Sequence, residues 1–141
     1  MATKIFLDAN VVLDYVLKRN HYLTIRELFV LAQQSKIRFY ISSSIVHILG
    51  YILTKNLGSA VAKTTILKLL DSIHVIDGNH ATTILALLSE NPDIEDALQF
   101  EIAHKNKMDY FITSDKKFQR FGIPKLPIID VIEAARLFIN I

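Results

Sequence analysis

Short apolar runs alternate with longer amphipathic stretches along the whole chain. Ile5-Phe6-Leu7, Arg38-Phe39-Tyr40-Ile41, Ile73-His74-Val75-Ile76 and residues 109–113 have the length and the aromatic or β-branched character of buried strands. Pro127-Ile128-Ile129 offers a fifth. Between them lie helical patterns. Residues 10–18 place Val11, Val12, Tyr15 and Val16 on one face. Residues 24–34 open on Thr24, with Glu27 three positions on as a capping box. Ser42-Ser43-Ser44 offers N-caps for a helix to residue 56, which Leu57-Gly58 ends. Residues 59–72 and 81–88 continue the pattern. Asn91-Pro92-Asp93 is a loop that caps a helix over 94–105, and Asp130 caps the last, over 131–138. Strand–helix alternation of this kind predicts an α/β sandwich. A central parallel sheet of four or five strands is flanked by helices, in one domain over 1–141.

In such a sheet the carboxyl ends of the strands share one edge, and ligands bind there. Asp8 follows the first strand directly, and Asp115 follows Tyr110 to Ser114 at the end of the fourth. Asp96 stands in the first turn of the helix between them. Carboxylates gathered at one edge repel one another until protons or cations neutralise them, and a hard divalent ion suits such oxygens. Each aspartate also has a local explanation. Asp8 and Asp115 suit helix or loop N-caps, and an acid in the first turn is favoured by the helix dipole. Asn10, Thr113 and Ser114 are placed to orient a carboxylate or water, while Asp93 and Glu95 are auxiliary acids beside Asp96. Lys116, Lys117 and Arg120 follow as candidate contacts to backbone phosphate.

Composition narrows the classes. The net charge is +2 over 141 residues, so overall charge says nothing of nucleic acid, but acidic residues crowd at 90–96 and basic ones at 105–125. The chain is 51% hydrophobic with mean hydropathy +0.31, which fits burial against a partner. Absence of cysteine excludes disulfides and thiolate metal sites and agrees with a cytoplasmic location. No apolar run suits a membrane span, and no signal-peptide pattern opens the chain. The histidines lack zinc spacing, and His47 sits among Ile45, Val46, Ile48 and Leu49. A dehalogenase-type phosphatase would need a second aspartate where Asn10 stands, and a receiver domain would need an acidic pair after the first strand.

Three segments together resemble the PIN-domain family of metal-dependent nucleases, which includes the VapC-like toxins of bacterial toxin–antitoxin pairs. They are Phe6-Leu7-Asp8-Ala9-Asn10, Glu95-Asp96-Ala97-Leu98-Gln99, and Asp109 through Thr113-Ser114-Asp115 to Phe118. The resemblance covers nearly the whole chain. It implies metal-site places for Asp8, Asp96 and Asp115, a Mg²⁺ or Mn²⁺ cofactor, an RNA substrate cut by phosphodiester hydrolysis, a homodimer, and an antitoxin protein as partner. His47 departs from the family, which usually has a glutamate there. A second reading follows from that departure: a PIN-fold module that binds RNA or protein without cutting.

Overall fold

The computed structural model describes residues 2–139. The elements run β1 Thr3–Leu7, α1 Ala9–Val16, α2 Tyr22–Gln33, β2 Ile37–Ser42, α3 Ser43–Leu57, α4 Ser59–Leu69, β3 Ile73–Ile76, α5 His80–Leu88, α6 Ile94–Lys105, β4 Tyr110–Ile112, α7 Lys116–Gln119, β5 Ile128–Ile129 and α8 Val131–Phe138. The five strands form one parallel sheet in the order β3-β2-β1-β4-β5. The expected α/β architecture is therefore present, with the upper of the two strand numbers.

β1 lies at the centre because Ile5, Phe6 and Leu7 need cover on both faces, and each is at most 1% exposed. The chain builds outward from β1 to β2 and β3, then returns to place β4 on the other side. The reversal between β1 and β4 opens a crevice at their carboxyl ends, the place where open parallel sheets bind ligands. Aromatic packing fixes that region. Phe111 of β4 meets Phe6 at 4.9 Å and Phe118 of α7 edge-on at 5.0 Å between ring centroids.

Two local expectations give way. The helix after residue 21 starts at Tyr22, not Thr24, and its N-cap His21 has φ 60° and no side-chain cap bond. Thr24 therefore lies inside the helix, and the capping box with Glu27 does not form. The tight connection from α1 takes left-handed turns at Lys18 and His21 and delivers the chain in helical register early. The four-residue α7 was not expected. It forms because Asp115 caps it by accepting from the Lys117 N–H at 2.9 Å, while buried Phe118 anchors it. Gly58, at φ 83°, joins α3 to α4 in a conformation that a side chain would resist.

Candidate metal centre

Asp8 leaves β1 at the crevice and is only 6% exposed. Its two oxygens are held differently. Oδ1 accepts from the Ala9 N–H at 2.8 Å, the N-cap bond of α1, and Oδ2 accepts from the Thr113 hydroxyl at 2.8 Å. The capping role and the site role thus belong to the same carboxylate. Thr113, fully buried at the end of β4, also accepts from the Asp115 N–H at 3.1 Å. One hydroxyl therefore links the ends of the two strands that border the crevice.

The third carboxylate comes from α6. Asp93 caps that helix, accepting from the Asp96 N–H at 3.0 Å, and Asp93's own N–H donates to Asn91 Oδ1 at 3.0 Å. This loop sets Asp96, half-buried, toward the strand ends. The electrostatics show the convergence. Burial, then the charges of Asp8, Asp93, Asp115 and Glu95, pushes the Asp96 carboxyl up to about 7. Burial also raises Asp8, with the bonds from Thr113 and Ala9 opposing and the charges of Asp115 and Asp93 adding to the rise. Glu95, exposed at the helix start, is raised by desolvation and by Asp8 and Asp93. No cation figures among the influences on any of the three.

Asp93, Glu95 and Asp115 thus lie near enough to Asp8 or Asp96 to act on their charge, and a group of hard oxygen donors of this kind fits a divalent cation such as Mg²⁺ or Mn²⁺. Among the described residues no three Asp, Glu or His side chains stand as a ready ligand set. The donor chemistry therefore fits the ion, although these side chains do not stand as a closed ligand set.

The remaining candidates divide around this cluster. A cleft of about 350 Å³ beside Asp93, Asp96 and Asp115 carries Lys117 and Arg120 on its wall. Lys116 does not join them. With Asn10 and Ser114 it lines a second cleft of about 390 Å³. Asp14 on α1 is held by Arg19 at 3.0 Å. His47 is exposed on α3 and is not among the groups acting on Asp8 or Asp96. One participant near the site escaped sequence reasoning. Gln99 is buried at 2% and bonds Ser42 and Ser44 across the edge of the sheet. The available signal was a polar side chain in the register of α6 that Ala103 keeps buried.

The family model for the PIN domain matches residues 4–117. No curated protein matches the chain in sequence. Solved structures share its fold at low identity. VapBC from Salmonella typhimurium, bound to DNA, is 21% identical with a TM-score of 0.66, covering 92% of this chain and 98% of that one. VapC20 of Mycobacterium tuberculosis, a sarcin-ricin loop cleaving toxin, is 16% identical with a TM-score of 0.65, covering 87% and 98%. A toxin–antitoxin complex from Klebsiella pneumoniae is 15% identical with a TM-score of 0.64, covering 86% and 94%.

Proposed function

The chain belongs to the PIN-domain family, and from that premise we propose that it is a metal-dependent endoribonuclease hydrolysing RNA phosphodiesters. The observation that carries the reading is the crowding of carboxylates at the β1–β4 crevice, where Asp93 and Asp115 lie near enough to buried Asp8 and half-buried Asp96 to oppose their charge. Asp8, Asp96 and Asp115 would hold the ion, with Asp93 and Glu95 beside them. When bound, Mg²⁺ or Mn²⁺ supplies a Lewis acid that activates water and offsets charge on the phosphate.

The chain's own groups do the rest. Thr113 fixes one Asp8 oxygen and leaves lone pairs on both free to face the crevice. Asp96, raised to about 7, holds a proton on part of the population at neutral pH and gives it up to a cation. Lys117 and Arg120 on one side, and Lys116 with Asn10 and Ser114 on the other, offer donors to phosphates flanking the cleaved bond.

The test is cleavage of a fluorescent single-stranded RNA with Mn²⁺, Mg²⁺ or EDTA, beside Asp8→Asn. Metal-dependent cutting abolished by the substitution is expected, and metal-independent cutting would overturn the reading. Binding without cutting in any metal would favour the second reading, a non-cleaving PIN-fold module. What favours that alternative is His47 where the family usually has glutamate, and the absence of a ready three-ligand set among the described residues.

Two partners belong to the same proposal. The likeness to VapBC and toxin–antitoxin complexes supports an antitoxin partner in the cytoplasm, tested by co-purification with the product of a neighbouring small reading frame. Exposed Leu85, Leu87 and Leu88 on α5, with the high mean hydropathy, support a homodimer, tested by sedimentation.

A further inference from the structure

Three side chains close a hydrogen-bonded ring at the end of β2. Ser42 Oγ donates to Gln99 Oε1, Gln99 Nε2 donates to Ser44 Oγ at 2.7 Å, and Ser44 completes the ring with Ser42 at 2.9 Å. Ser42 Oγ also accepts from the Ile45 N–H at 3.2 Å, capping α3. Ser42 already gives its proton to Gln99, so Ser44 is the donor in the third bond. A buried amide on an otherwise apolar helix face is costly unless satisfied.

The ring's position gives it a consequence. β1 and β2 pair Phe6 with Tyr40, so two residues further on Asp8 and Ser42 end adjacent strands. Gln99 stands three residues after Asp96 on α6, a spacing that puts both on one side of the helix. The body of α6 packs on α5 and, through Phe100, Ile102 and Ala103, on the core. At the other end of α6, Asn106 Nδ2 donates to the Asp77 carbonyl at 3.1 Å. Near its start, the polar tie to the sheet edge is Gln99. Asp8 and Asp96 carry like charges that oppose their approach, and the ring ties the helix bearing Asp96 to the strand beside Asp8.

We propose that Gln99 is a positioning residue of the carboxylate site: its bonds to Ser42 and Ser44 dock α6 on the end of β2 and set the separation of Asp96 from Asp8. This rests on the metal-site reading above for its consequence, though not for its geometry. Gln99→Met keeps the volume and removes the ring, and Ser44→Ala removes one corner at an exposed position that folding tolerates. Mn²⁺ affinity, read by electron paramagnetic resonance, should fall about tenfold in Gln99→Met, or roughly 1.4 kcal/mol. It should fall less in Ser44→Ala, and the double variant should be no weaker than Gln99→Met because both substitutions break one unit. Wild-type Mn²⁺ affinity in a folded Gln99→Met would overturn the proposal, since a packing role alone predicts that result. If the wild type binds no Mn²⁺, the metal reading fails separately, and amide hydrogen exchange of the metal-free protein decides. Faster exchange confined to the first turns of α6 in Gln99→Met supports the docking role, and unchanged protection there refutes it.

Discussion

Asp96 carries the clearest consequence at the scale of one residue. Its carboxyl sits at about 7 in the folded chain against 3.8 for an ordinary aspartate, because burial and then Asp8, Asp93, Asp115 and Glu95 oppose its charge. Between those values the folded protein binds more protons than the unfolded chain. Stability of the metal-free protein therefore falls as pH rises through that window, opposite to a salt-bridged carboxylate. In EDTA the melting temperature should drop by several degrees from pH 5 to pH 8. Asp96→Asn should flatten the drop and melt higher than wild type at pH 8. Asp8 is raised too, so a residual slope remains. A wild-type melting temperature that climbs with pH would show the carboxylates to be compensated. His47 gives the second residue-scale prediction. It is exposed, so His47→Glu should change stability by less than about 0.5 kcal/mol. If position 47 serves the site as the family's glutamate does, that variant tightens Mg²⁺ binding and raises ribonuclease activity. Titration showing unaltered Mg²⁺ affinity would remove His47 from the site.

At the scale of elements, central β1 was legible because a strand covered on both faces must be a continuous apolar run, as Ile5-Phe6-Leu7 is, while edge strand β3, with His74 and Val75 exposed, was legible from its short β-branched run alone. The start of α6 was legible from Asn91-Pro92-Asp93, since proline and a capping acid act locally. Elsewhere the deciding partner was distant or the geometry unusual. The start of α2 depends on left-handed backbone at His21, and α7 on the burial of Phe118 against Phe111. Gln99 makes sense only beside serines 55 and 57 positions away. Of the site, the three aspartates stood out because each closes or opens an element. Their convergence depended on a strand order that spacing does not dictate. Asp93 separates cap from charge. Asp93→Ala should lose about 1 kcal/mol with the cap. Asp93→Ser should keep the cap, relieve repulsion on Asp96, and melt no lower than wild type in EDTA at pH 8. Calorimetry showing equal losses in both variants would mean that the charge of Asp93 does not matter to the helix.

For the whole molecule, protons and cations compete for one cluster, and that competition links global stability to both. A cation that binds only the folded chain adds RT ln(1 + [M]/Kd), about 2.7 kcal/mol at a hundredfold excess over Kd. Its carboxylate ligands must first lose their protons, so the apparent affinity weakens below the raised value of Asp96, about 7. The two effects oppose each other in one experiment. In EDTA the protein should be more stable at pH 5 than at pH 8, because protons relieve the repulsion. In millimolar Mn²⁺ the gain over EDTA should be small at pH 5 and several degrees larger at pH 8, where the ion replaces those protons. Asp8→Asn and Asp96→Asn should each shrink the gain at pH 8, whereas Glu133→Gln on α8, a charge that is not among the groups acting on Asp8 or Asp96, should leave it intact. A Mn²⁺ gain equal at both pH values, or one that survives Asp96→Asn in full, would place the ion elsewhere on the protein and separate the acidic cluster from the metal.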